Sequence, residues 1–118
     1  MELKPLLFAA LLWLPVTHAS ADTPPLDGHY YLTGAMEMGA ELLLHKDGTF
    51  DAGASYGSAD GFAKGTWQMQ NNTVTLKSDT KPASDSDLSG LFQDLQLAIE
   101  PNCLAVDFGN GKACFRRQ

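Results

Sequence analysis

The stretch from Ala40 to Leu76, AELLLHKDGTFDAGASYGSADGFAKGTWQMQNNTVTL, alternates apolar with polar or small residues and is interrupted at short intervals by turn residues. A period of two sends successive side chains to opposite faces of a strand, so this stretch reads as four antiparallel strands that share one inward face. Ala40, Leu42 and Leu44 alternate with Glu41, Leu43 and His45. Beyond the turn, Phe50, Ala52, Ala54 and Tyr56 alternate with Thr49, Asp51, Gly53 and Ser55. A two-residue Asp47-Gly48 turn would oppose inward Leu44 to outward Asp51. A three-residue Lys46-Asp47-Gly48 loop instead pairs Leu44 with Phe50 and Leu42 with Ala52. That loop ends in a left-handed residue, and Gly48 takes positive φ without steric cost.

The next strand sets Ala63, Gly65, Trp67 and Met69 against Lys64, Thr66 and Gln68. Matching its inward set to the preceding strand predicts the pairs Tyr56 with Ala63, Ala54 with Gly65 and Ala52 with Trp67, so that large residues face small ones. A Trp side chain buries roughly 150–250 Å², which makes Trp67 over Ala52 the expected centre of the core. Small Ala54 and Gly65 leave a gap there. Asn71-Asn72 supplies a two-residue turn that aligns Met69 with Val74 and Trp67 with Leu76, since Asn tolerates left-handed φ.

The flanks extend this meander. A strand from Gly28 to Gly34 carries Tyr30 and Leu32 inward, and Met36 to Met38 cap its hairpin. Leu95, Leu97 and Ile99, then Leu104, Val106 and Phe108, then Ala113 and Phe115 continue the inward pattern, with a turn at Pro101-Asn102. The long polar interruption from Ser78 to Gln93 contains Asp87-Leu88-Ser89-Gly90-Leu91-Phe92, which is placed to form one helical turn plugging a barrel end. Loops of this length are usually functional or mobile. The reading is therefore all-β, with eight strands in a small antiparallel up-and-down barrel. Closure removes the exposed edges that template aggregation. A two-sheet β-sandwich is the alternative.

Residues 1–21 read as a signal peptide: Lys4 near the start, an apolar run from Pro5 to Val16, and Ala19-Ser20-Ala21 as the cleavage site. The apolar run is shorter than the roughly 20 residues a membrane span needs. Residues 22–118 then form a single domain, with a periplasmic or secreted location. Loss of Glu2 and Lys4 leaves the net charge at −6, which argues against nucleic acid and anionic membrane surfaces as partners.

Cys103 and Cys114 are the two cysteines of the chain, both on outward parity, and export favours their joining in a disulfide. Two registers compete. The Asn110-Gly111 turn pairs Phe108 with Ala113 but leaves Cys103 four residues from the position opposite Cys114, roughly 13 Å along the strand. A wider loop from Asp107 to Asn110 sets the cysteines face to face and also keeps inward residues matched.

Motifs for chemistry are weak. Gly53-Ala54-Ser55-Tyr56-Gly57 matches the serine-hydrolase pattern G-x-S-x-G, but that pattern works at a strand-to-helix elbow, and here it lies on an alternating strand. Ser78-Asp79-Thr80-Lys81 matches S-x-x-K in a chain too small for the fold that uses it. Asp85 and Asp87 lie in a polar loop with no wall to raise a carboxyl pKa. The chain reads as a non-enzymatic binding protein without a cofactor. A small apolar ligand would sit inside the barrel against Phe50, Ala54, Tyr56, Gly65, Trp67, Met69, Phe108 and Phe115, although the same set serves as simple core. The other class is a monomeric interaction module that binds an envelope protein, as a stress factor, inhibitor or immunity protein. One metal site suggests itself. If Leu32 pairs with Leu42 and Tyr30 with Leu44, His29 opposes His45 on the outer face, at a spacing suited to Zn²⁺ or Cu²⁺.

The order Asp47-Gly48-Thr49-Phe50, Tyr56, Gly65-Thr66-Trp67 and Val74-Thr75-Leu76 resembles the small lipocalin-like (calycin-like) β-barrel domains of bacterial envelope proteins, such as the N-terminal domain of NlpE lipoproteins. The resemblance implies a barrel and a Gram-negative periplasmic setting. It does not extend to copper sensing or lipid anchoring, because this chain has no lipid-attachment cysteine directly after the apolar run and no C-x-x-C near its first hairpin.

Overall fold

A computed structural model describes residues 25–109 and 111–118, so the signal-peptide reading of residues 1–21 lies outside the described residues. Eight strands follow one another around a closed barrel: β1 Gly28–Thr33, β2 Met38–Leu44, β3 Thr49–Tyr56, β4 Ala59–Gln70, β5 Thr73–Ser78, β6 Leu95–Ile99, β7 Leu104–Asp107 and β8 Lys112–Arg117. Every neighbouring pair is antiparallel, and β8 closes on β1 through Tyr30↔Arg117 and Leu32↔Phe115. The barrel, not the sandwich, is the architecture.

The β2/β3 hairpin has the predicted register, Leu44↔Phe50 and Leu42↔Ala52, with Gly48 at φ 92°. Asp47 closes its turn by accepting from the Thr49 hydroxyl at 2.7 Å and the Thr49 N–H at 2.9 Å. These bonds favour its ionised form and hold its carboxyl below the usual range. The β4/β5 hairpin also matches, with Trp67↔Leu76, Met69↔Val74 and Asn71 at φ 59°.

The β3/β4 register differs from expectation. Gly57 at φ 63° and Ser58 make a tight turn, β4 starts already at Ala59, and the pairs are Tyr56↔Ala59, Ala54↔Gly61, Ala52↔Ala63 and Phe50↔Gly65. The strand has slid by four residues. A slide by an even number preserves which face each residue takes, so the inward set is unchanged while every partner is new. Trp67 therefore does not cover Ala52. It stands half-buried toward the end of β4, and its indole N–H donates to the His45 carbonyl at 2.9 Å. The large-over-small contact is made instead by Phe50 over Gly65, where an added Cβ would lie 2.9 Å from the Phe50 ring and collide with the Lys77 carbonyl.

The interior is filled by side chains. Phe50, Phe92, Phe115, Leu42, Leu76, Leu97 and Val74 are each below 2 % exposed, and Leu104, Val106, Tyr30 and Leu44 complete the same cluster. One barrel end is plugged as predicted by a short 3-10 helix, Leu88–Phe92. Asp87 caps it, accepting from Ser89 N–H at 3.0 Å and Ala83 N–H at 2.8 Å. These bonds hold the Asp87 carboxyl below the usual range. Phe92 drops fully into the core, and the helix backbone lies against Gly61, where a Cβ would meet Asp87 Oδ1 at 2.6 Å. Phe108 bridges Phe92 and Phe115 edge-on, with centroids 6.5 and 6.4 Å away.

Cys103 and Cys114 form the expected disulfide, Cα to Cα 5.6 Å, by a route that neither predicted register contained. Asp107 pairs with Lys112 and Ala105 with Cys114, so Cys103 is not opposite its partner. It precedes β7, in a bend where Glu100 N–H donates to its carbonyl at 2.9 Å, and reaches across while being 8 % exposed.

Candidate functional site

The residues expected to hold a ligand divide between core and surface. Phe50, Ala54, Gly65 and Phe115 are buried, and the Ala54/Gly65 gap is closed because Gly65 meets Phe50 while Ala54 meets Gly61 beneath the plug. Trp67 and Phe108 are half-buried, and Tyr56 and Met69 are 49 % and 48 % exposed. Ala54 borders a trough on the outer wall, Met69 a mouth at the end opposite the plug. The eight do not meet around one space.

The two-histidine arrangement is corrected as well. β1 pairs with β2 as Gly28↔Leu44, His29↔Leu43 and Tyr30↔Leu42, two residues from the predicted register, so His29 opposes Leu43 and not His45. Each imidazole has its own carboxylate: His29 Nε2 lies 2.8 Å from Glu41 Oε1, and His45 Nε2 lies 2.7 Å from Asp51 Oδ2. The described residues do gather Glu100, Cys103 and Cys114 within 4.8 Å of one another, but the two sulfurs are bonded together and Glu100 faces Lys112 Nζ at 2.8 Å. A thiolate is what a metal would need there, and the disulfide supplies none.

The outer wall over β1 to β4 offers a different site. Register sets Tyr31 opposite Glu41, Glu41 opposite Gly53 and Gly53 opposite Phe62, giving one cross-strand row with an aromatic ring at each end. Gly39 and Ser55 lie one step along on the same face, so beside Glu41 the floor is low. An eight-stranded barrel is convex, and these glycines turn part of its surface into a trough of about 570 Å³, within the roughly 300–1,000 Å³ typical of ligand pockets.

Both walls are held in place. Phe62, 75 % exposed, lies over Gly53, where a Cβ would be 3.0 Å from its ring, so the glycine is what lets the ring come down onto the sheet. Tyr31 stacks on His29 with centroids 4.4 Å apart, and His29 is fixed in turn by Glu41. The charged residues that line the trough, Glu41, Asp51 and Asp60, are all acidic. Sequence reasoning placed Tyr31, Glu41 and Gly53 outward but lost Phe62 in an assumed loop. The available signal was its position between Gly61 and Ala63, at outward parity in a strand that runs on to Ala59.

At the opposite end of the barrel from the plug, a mouth of about 760 Å³ is bordered by Leu26, Met69, Ile99 and Leu104. Its guanidinium is already engaged: Arg117 Nη2 donates to the Pro25 carbonyl at 2.8 Å and to the Tyr30 hydroxyl at 2.7 Å, tying the leader to the barrel. Ser55 of the G-x-S-x-G match is exposed on β3, opposite Gly39 and Asp60. No helix among the described residues is long and apolar enough to cross a membrane. No family model, curated protein or solved structure matches the chain.

Proposed function

We propose that the protein is an exported, non-enzymatic recognition barrel that binds an envelope partner on its outer wall, in the trough between Tyr31 and Phe62. The observation that carries this reading is the contrast between a filled interior and an aromatic left 75 % exposed beside a glycine floor. Exposing a Phe to this degree forgoes roughly 1.5–3 kcal/mol of burial. A partner that covers the ring recovers that stabilisation. The disulfide and the signal-like residues 1–21 support an oxidising, exported setting. The reading replaces a carrier with a ligand inside the barrel, because the predicted internal gap is occupied by Phe50 and the plug helix.

Site-directed photocrosslinking in the producing cell tests it. A photoreactive residue at Phe62 should give a discrete protein adduct, whereas one at exposed Gln68 on the same strand should not. Adducts from Gln68 alone would move the partner off the trough and overturn this site, and none from Phe62 while a small molecule co-purifies with the protein would return the carrier reading.

A further inference from the structure

We infer that the trough takes an arginine side chain presented by an apolar-flanked segment of a partner protein. The inference rests on the outer-wall reading above and adds the chemistry of the occupant. Glu41, Asp51 and Asp60 line the trough; Asp51 already faces His45 and stands opposite Lys64, which leaves Glu41 and Asp60 to attract a cation, on a chain whose net charge is −6. Tyr31 and Phe62 stand at the two ends of the row that holds Glu41 and Gly53. The face of an aromatic ring attracts a cation through its quadrupole, and does so more effectively beside low-dielectric walls. A ligand that satisfies both the carboxylates and the rings is an organic cation.

Geometry narrows the class further. The barrel is closed, so a partner cannot add a strand to an edge and has to insert side chains. The strands that carry Tyr31 and Phe62 are three spacings apart, roughly 14 Å, and because the Phe62 ring lies over Gly53, the floor left open for an extended stem is at Gly39 and Ser55. Arginine suits this space better than lysine. Its planar guanidinium stacks on rings while its several N–H donors remain in the plane to reach a carboxylate oxygen at the side, and its methylenes cover apolar floor. Glu41 can receive it. His29 holds Oε1, and Oε2 has no partner among the described residues.

The probe is a seven-residue capped peptide, Ala-Ala-Leu-Arg-Leu-Ala-Ala, titrated into the oxidised mature protein and followed by amide NMR shifts. Matched peptides carry citrulline, lysine or glutamate in place of arginine, and free arginine amide is the small-molecule comparison. The arginine peptide should shift the Gly39, Gly53 and Phe62 amides and bind at least 10-fold more tightly than the citrulline and glutamate peptides. It should bind several-fold more tightly than the lysine peptide and than free arginine amide, and weaken as salt rises. Glu41→Gln and Phe62→Ser should each lower its affinity by about 5-fold or more. Both residues are exposed, and unchanged thermal transitions of the variants would show that the fold is kept. Equal binding of the arginine and citrulline peptides, shifts confined to other surfaces, or no binding by any peptide would overturn the inference. So would free arginine amide matching the peptide, which would make the occupant a small guanidinium compound. A Phe62 crosslink obtained without arginine selectivity would leave the outer-wall reading standing and remove this one alone.

Discussion

At residue scale the barrel turns on which small residue each large one covers. Gly65 lies beneath Phe50 and against the Lys77 carbonyl, and a backbone atom cannot rotate away as a side-chain end can. Gly65→Ala should therefore destabilise the fold by about 3 kcal/mol, read as a lower urea midpoint at unchanged slope. Trp67 and Phe50 give the complementary test. Phe50 is 1 % exposed, and Phe50→Ala should cost about 3–5 kcal/mol. Trp67 is only half-buried and keeps one hydrogen bond to His45, so Trp67→Ala should cost about 2 kcal/mol. The reverse order of the two midpoints would restore Trp67 as the centre of the core. Inward and outward assignment was legible for almost every strand residue because parity alone decides it. Pairing was not. Ala52, Ala54, Ala59, Gly61, Ala63 and Gly65 are nearly alike in size, so sliding β4 by four residues changes neither the faces nor the apparent fit. What selects the observed register is contact that parity does not encode: the Phe50 ring over Gly65, and Gly61 against the plug. The placing of Phe62 in a turn, and not on β4, follows from the same slide.

Among the elements, the β2/β3 turn that Asp47 closes should respond to acid, as should the plug helix. Its cap, Asp87, accepts two backbone N–H groups that favour the ionised carboxylate, so its folded pKa lies below the ordinary value of 3.8. A carboxylate whose pKa is depressed on folding contributes in full above its unfolded value and loses that contribution as pH falls through the folded one. Asp87→Asn should thus lower the thermal midpoint at neutral pH by an amount that stays level until pH falls to about 4, then shrinks toward zero below it. A difference that grows on acidification would show that the cap does not act through its charge. The helix itself was legible, since Asp87 stands before Leu88 and Phe92 in an otherwise polar loop. The metal pairing of His29 and His45 was not, because the short β1/β2 loop, with Gly34 at φ 86° and Glu37 at φ 60°, sets a register two residues away from the one that parity allowed equally well.

For the whole molecule, the question is what keeps a closed sheet of this size closed. A domain of about 100 residues retains only about 5–15 kcal/mol of net stability, and the barrel's last strand is held on one side by a short neighbour, β7, with four residues. Cys103 and Cys114 are 11 positions apart in sequence, and a loop of that length should contribute about 3 kcal/mol by restricting the unfolded chain. The bridge fastens the approach to β7 onto β8, and β8 carries Phe115 into the core while pairing with β1. Its loss should act first on closure. Reduction under native conditions, or the Cys103→Ala, Cys114→Ala variant, should lower stability by about 3 kcal/mol. Hydrogen exchange should quicken in β1, β7 and β8 before β3 and β4, which pair with neither of the two strands that meet at the seam. Uniform loss of protection across all strands would mean that the barrel opens as one unit. Unchanged stability would mean that the seam is held by Phe115, Leu32 and the Arg117 tie to Tyr30 without covalent help.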